Sequence, residues 1–218
     1  MTYRNVAFDL DGTLLDTLVD LHLSVNQALE ANGMPARTKD EVRLATGNGI
    51  ATLIARSVPA GCPAELREKT LADFKAYYDV HAMDHLVPYE GIPELLCALR
   101  EKGMGLAVVS NKADFAVQKI ISAKLPGMFD AVIGENETAG IAKKPAPDMV
   151  DAALSSMGCD REGLVYVGDS EVDIQTAANL GCSCLACTWG FRDREWLAQN
   201  GATTILDTPA ELARILLD

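Results

Sequence analysis

Beyond residue 88 the sequence alternates short apolar runs with longer helical stretches, and this rhythm restricts the fold more than any other feature. The runs are Gly105-Leu-Ala-Val-Val-Ser110, Ala131-Val-Ile-Gly134, Leu164-Val-Tyr-Val-Gly168, Cys184-Leu-Ala-Cys187 and Thr204-Ile-Leu206, with Asn5-Val-Ala-Phe8 preceding them near the N-terminus. Apolar on successive residues and only a few residues long, they suit strands covered on both faces. Helical patterns lie between them over 92–102, 113–124, 148–157, 171–180, 193–200 and 209–217. The alternation predicts an α/β fold, a Rossmann-like three-layer parallel sheet with helices on both faces. In such sheets ligands bind just beyond the C-terminal ends of the strands.

Residues 17–85 break the rhythm. They hold only helical patterns, with one apolar stripe at Leu18, Leu21, Val25, Ala28 and Leu29 and another at Leu66, Leu71, Phe74 and Tyr78. A strandless stretch of this length is not a simple crossover between parallel strands. The expected organisation is a core of residues 1–16 and 86–218 with an inserted helical domain over 17–85, which would act as a lid or cap.

Charge narrows the function. Acidic residues outnumber basic ones by 31 to 19, giving a formal charge of −12, which repels nucleic-acid backbones and anionic membranes. An anionic small substrate would need a local cation, a metal or a focused lysine. With no apolar signal region at the start and no 18-residue apolar stretch, the expected location is cytoplasmic. The cysteines at 62, 97, 159, 182, 184 and 187 are read as buried structural thiols, because the three histidines at 22, 81 and 85 complete no zinc pattern.

Four fragments carry candidate chemistry. Asp9 and Asp11 stand at the end of the first run, where Gly12-Thr13 permits an abrupt exit. If extended geometry persists through Asp11, side chains i and i+2 point the same way and both carboxylates reach one reacting group. One can attack while the other moves a proton; an acidic turn or a Ca²⁺-type loop is the plainer reading of this fragment alone. Ser110-Asn111 offers a hydroxyl and backbone N–H groups to a phosphate or oxyanion, or else caps a helix that Asn111 or Lys112 enters. Lys144, between Lys143 and Pro145, supplies a positive charge, or is a solvated loop lysine. Asp169 suits a divalent cation and Asp173 shares its face one helical turn on, although capping by Ser170 or Asp169 explains the same residues without a metal.

In this order and after successive strands, Asp9-x-Asp11-Gly-Thr-Leu-x-Asp16-Thr, Ser110, Lys144-Pro and Gly168-Asp169-x-x-x-Asp173 resemble the haloacid dehalogenase superfamily of phosphohydrolases. The resemblance covers nearly the whole chain, including the insertion, which looks like that family's smaller cap. It implies that Asp9 is a nucleophile forming an aspartyl phosphate and that Asp11 is the acid and base. It implies Mg²⁺ held by Asp9, the Asp11 carbonyl and Asp169, with Asp173 supporting them. Lys144 would neutralise charge, while Ser110, Asn111 and the backbone around Leu10 would bind phosphoryl oxygens.

Within the superfamily the phosphoglycolate phosphatase group is the nearest resemblance. It rests on the Gly47-Asn48-Gly49 turn before Leu53-Ile54 and on Thr188-Trp189-Gly190-Phe191-Arg192. Gly47, Asn48, Gly49 and Arg192 are thereby candidates for substrate specificity; the plainer readings are a connection between two helices and a surface arginine bridging acids. The implied partner is a small phosphorylated metabolite, and no protein partner is indicated. A pyrophosphatase could share the Gly-rich turn and a sugar phosphomutase the whole Asp9–Asp11 acid–base pair, and a phosphate-binding regulatory module without turnover is the alternative outside catalysis.

Overall fold

Every residue of the first strand is buried, so the sheet must be covered on both sides from its centre outwards. The structure, a computed structural model, describes residues 3–136, 138 and 140–218. In chain order its elements begin β1 (Asn5–Phe8), β2 (Leu15–Asp16), α1 (Leu18–Ala31), α2 (Lys39–Ala45), α3 (Ile50–Ser57), α4 (Ala64–His81) and β3 (Val87–Pro88). They continue α5 (Ile92–Glu101), β4 (Gly105–Ala113), α6 (Asp114–Lys124), β5 (Ala131–Glu135), α7 (Asp148–Ser156) and β6 (Leu164–Gly168). The last are α8 (Glu171–Leu180), β7 (Ser183–Cys187), α9 (Arg194–Gln199), β8 (Thr204–Leu206) and α10 (Pro209–Leu217). Two compact units result: the chain up to Leu15 together with Pro88–Asp218, and Asp16–Val87.

The core unit is built on a six-stranded sheet in the order β5-β4-β1-β6-β7-β8, and all its pairings are parallel. On one face Ala7, Ala107, Val109 and Tyr166 pack against Met149, Val150, Ala153 and Leu154 of α7 and Ala177 and Leu180 of α8. The intervening residues Val6, Phe8, Val108, Val165 and Val167 are equally buried, as a strand period of two requires when both faces are covered. Fully burying a side chain of this size contributes about 1.5–3 kcal/mol. The Tyr166 hydroxyl is satisfied by donating to the Val109 carbonyl at 3.4 Å.

The structure differs from the sequence expectation at the end of β4. The strand runs on through Asn111 and Lys112 to Ala113, and helix α6 begins only at Asp114. Its register with β5 shifts between Ser110 and Ala113. Gly134 on β5 permits this: a Cβ there would lie 2.7 Å from the Asp114 nitrogen and 2.9 Å from the Lys112 carbonyl oxygen.

The cysteine expectation is also corrected. Cys187 is buried, Cys97 is exposed, and Cys62, Cys159, Cys182 and Cys184 are half-buried. Helix α5 turns Ile92, Leu95, Leu96 and Leu99 inward, and position 97 falls on the opposite side of a 3.6-residue period. Burial pushes the Cys182 thiol up to about 11, and the more deeply set Cys184 and Cys187 are also raised, first by burial. Burial keeps these thiols protonated at neutral pH.

The helical unit has its own core. Leu18, Leu21, Val25, Ala28 and Leu29 of α1 are buried; on α4, which packs against α1, the buried residues are Thr70, Phe74 and Tyr78, four apart on one line. Leu66 extends that line one turn back and Leu71 falls beside it, and both stay partly exposed. Thr38 and Glu41 close a capping box at the start of α2. No described helix is long and apolar enough to cross a membrane.

Candidate active site

The sheet order reverses beside β1. The chain passes from β1 to β4 and β5 on one side, then returns to β6, β7 and β8 on the other. A crevice opens outside the carboxyl ends of strands at such a point. Asp9 follows β1 directly, Asp169 follows β6 directly, and Ser110 to Lys112 lie at the end of β4.

Two lysines organise the acids. The Lys144 ammonium is 2.8 Å from Asp9 Oδ1 and 2.8 Å from Asp173 Oδ1, with both Lys144 and Asp173 buried. It is no solvated loop lysine. Asp9 Oδ1 also accepts from the Leu10 backbone N–H at 2.7 Å, so both contacts use the same oxygen. Asp173 Oδ2 accepts from the Ser170 hydroxyl at 2.6 Å and the Ser170 N–H at 3.1 Å, which fixes Asp173 within the first turn of α8. The second lysine, Lys112, donates to both oxygens of Asp11, at 2.7 and 2.9 Å.

Asp169 is held from two sides. Its Oδ1 accepts from the Thr13 hydroxyl at 3.0 Å and its Oδ2 from the Phe191 N–H at 2.7 Å. Glycine makes the room for it. A Cβ on Gly12, whose φ is +86°, would run into the Asp169 carboxylate, and one on Gly190 would strike the Gly12 carbonyl and come within 2.5 Å of Asp169 Oδ2.

The electrostatics are unbalanced. Burial pushes Asp9 up to about 7; Lys144 pulls it down, while the charges of Asp173 and Asp11 push it further up. Burial, then Asp173 and Asp9, hold Asp169 well above the usual carboxylate range. Burial would depress Lys144, but the carboxylates of Asp173 and Asp9 outweigh it and keep the ammonium charged. One ammonium thus serves three close acids, a surplus of negative charge in a poorly solvated place. Asp9, Asp169 and Asp173 each present an oxygen within 4.8 Å of the others. An all-oxygen, over-anionic cluster in a cradle kept clear by glycine fits a hard divalent cation. Asp173 spends one oxygen on the Lys144 ammonium and the other on Ser170, whereas Asp169 meets only the neutral donors Thr13 and Phe191 N–H and the contacts of Asp9 with Lys144 and Leu10 use one oxygen, so Asp9 and Asp169 are the better placed to hold it.

Comparison with known proteins gives this geometry its lineage. The sequence model of the haloacid dehalogenase-like hydrolases matches residues 6–187. The chain belongs to this family. A phosphoglycolate phosphatase from Aquifex aeolicus is 33% identical over 189 residues, 86% of each chain. One from Vibrio cholerae is 33% identical over 222 residues, 97% of this chain and 96% of its own. The crystal structure of a phosphoglycolate phosphatase candidate from Lactobacillus delbrueckii subsp. bulgaricus matches with a TM-score of 0.94 at 36% identity, over 99% of both chains.

Several residues singled out in the sequence have other surroundings in this haloacid dehalogenase-like structure. The strand geometry expected to carry Asp9 and Asp11 in step ends at Phe8, and Asp11 instead forms an isolated bridge with Leu15. Ser110 is buried and its hydroxyl accepts from the Lys112 N–H at 3.3 Å. The Asn111 side chain is spent on the backbone of Lys144, donating to its carbonyl at 3.0 Å and accepting from its N–H at 2.9 Å. Arg192 is not a surface arginine: it is buried and paired with Glu171 at 2.9 Å, its guanidinium 5.9 Å from the Trp196 ring centroid. Gly47 and Gly49, at φ +118° and +83°, connect α2 to α3 in the helical unit. Thr13, Lys112 and the Phe191 N–H escaped the sequence reading as site groups. Lys112 directly follows Ser110-Asn111, the one signal that pointed to it.

Proposed function

We propose that this phosphatase hydrolyses 2-phosphoglycolate with Mg²⁺ through a phosphoenzyme on Asp9. The observation that carries the reading is Asp9 itself, held through one oxygen by Lys144 and Leu10 at the sheet's switch point, with the other oxygen left for attack. In the first half-reaction an Asp9 oxygen bonds to phosphorus, the bond to the leaving oxygen breaks, and a proton passes from Asp11 to that oxygen. In the second, a water oxygen bonds to phosphorus, the Asp9 bond breaks, and the water's proton returns to Asp11. Lys144 holds the nucleophile and offsets charge, while Ser110 and the backbone N–H groups around Leu10 that are not spent on Asp9 receive phosphoryl oxygens. Mg²⁺, when bound by Asp9, Asp169 and the Asp11 carbonyl, supplies further neutralisation of the phosphoryl group. The names of the Aquifex and Vibrio relatives support 2-phosphoglycolate as the ester. The helical unit is read as a cap that governs substrate access.

The test is phosphate release from 2-phosphoglycolate, pyrophosphate and sugar phosphates, with and without Mg²⁺. The expected result is the highest kcat/KM on 2-phosphoglycolate, loss of activity in a chelator and recovery with Mg²⁺. Asp9→Asn should lose about 10⁴-fold or more, as removing a nucleophile does elsewhere. Turnover that survives this substitution rules out the phosphoenzyme, and turnover that survives chelation rules out the metal.

A further inference from the structure

Lys112 has no part in the scheme above, yet its side chain is only 8% exposed and its ammonium sits on both oxygens of Asp11. The register explains how it arrives there. Phe8 on β1 is level with Val108 on β4, and β4 continues past the end of its neighbour. Lys112 on this overhang lies beyond the end of β1, where the loop that carries Asp11 begins. Asp11 has left the strand and its side chain is not fixed by the backbone ladder. Its aim must come from a contact.

We propose that Lys112 is the positioning residue of Asp11, holding its carboxyl group in place for proton exchange with the leaving group. A lysine ammonium is a compact donor with three N–H bonds and a flexible stem. In the structure Lys112 donates to both oxygens of Asp11. An oxygen that carries no proton can accept from Lys112 in either form of the carboxyl group. The contact can thus persist through both half-reactions and keep the group in place. Lys144 and Lys112 divide the work: the first holds the nucleophile, the second the proton carrier. This inference rests on the reading of Asp11 as the proton-transfer group.

A pair of substrates separates the possibilities. Expelling glycolate from 2-phosphoglycolate needs a proton, whereas expelling the stable phenolate of 2,4-dinitrophenyl phosphate does not. Because kcat/KM includes steps only up to departure of the leaving group, it reads the acid role alone. General acid catalysis contributes about 10²–10⁴-fold, so Lys112→Met should cost about 10- to 100-fold in kcat/KM on 2-phosphoglycolate and stay within about 3-fold on the dinitrophenyl ester. Asp11→Asn should discriminate in the same sense and more strongly, and Lys112→Arg should recover most of the loss. The ratio of the two substrates within one variant is independent of how much protein is folded. Equal losses on both esters, as a phosphate-binding or merely structural lysine would give, overturn the proposal, and so does no loss on either. If Asp11→Asn itself fails to discriminate, the reading of Asp11 falls and takes the proposal with it. If Asp11→Asn discriminates and Lys112→Met does not, only the role of Lys112 is lost.

Discussion

The two units of this chain handle charge in opposite ways. In the helical unit the ion pairs lie outside: Arg37 with Glu41, Arg43 with Asp40 and Lys69 with Asp73 sit at helical spacings on exposed faces. Its one deeply buried acid, Asp20, is fully answered by the backbone N–H and ring nitrogen of His85. In the core unit Asp169, Asp173 and Lys144 are buried together, and the acids remain in surplus. Burial raises the cost of every charge, so folding alone favours the first arrangement. The second is the arrangement that the proposed binding of a cation and an anionic phosphate calls for.

Two glycines test this contrast most severely. Gly190→Ala drives a Cβ into the Gly12 carbonyl and against Asp169, and a displacement of about 1 Å at a reacting centre costs roughly 10²-fold. Phosphatase activity should fall by at least that much. Gly33 in the helical unit has φ +67° and nothing within reach of an added Cβ. Its alanine variant should lose about 1 kcal/mol of stability in denaturant melts and keep its kcat. Comparable activity losses in the two variants would dissolve the distinction between the units.

A pH series sharpens it. Asp9 is pushed up to about 7 from 3.8, chiefly by burial, so between these values the folded protein holds a proton that the unfolded chain releases. The contribution of this group to stability is therefore greatest at the acid end and is lost as pH rises through that window; Asp169, raised for the same reason, acts in the same direction. A divalent cation needs the ionised carboxylates, so it restores stability where they are deprotonated. The rise in melting temperature caused by Mg²⁺ should be larger at pH 8 than at pH 5.5, with a ceiling of about 2.7 kcal/mol at a hundredfold excess over Kd. A rise independent of pH would place the ion elsewhere. The smallest effect belongs to the helical unit, where Lys69→Ala should move stability by less than about 0.5 kcal/mol.

How much of this was legible beforehand follows from what sequence patterns record. A strand covered on both faces writes its burial into consecutive residues, so Asn5–Phe8 and Leu164–Gly168 stood out. The acids at their ends were visible because strand ends and turn glycines mark the same place. The partnership of Lys112 with Asp11 spans 101 positions and leaves no periodic trace. Arg192 was misread as a surface residue for a related reason: its pairing with Glu171 is decided by the loop between β7 and α9 meeting the first turn of α8, not by a pattern in either. Cys97 failed differently, since residue type suggested burial where helix phase on α5 decided against it.

The amide of Asn111 has a consequence of its own. By giving one hydrogen bond to the backbone of Lys144 and taking one from it, this side chain imitates the two-way exchange between facing residues of neighbouring strands. It splices a loop onto the sheet as though a further strand, one residue long, had been laid beside β4. Lys144 thereby gains the positional certainty of a ladder residue while its neighbours keep the freedom of a loop. Aspartate in place of Asn111 would keep half of the splice and lose the other half, because a carboxylate accepts but cannot donate.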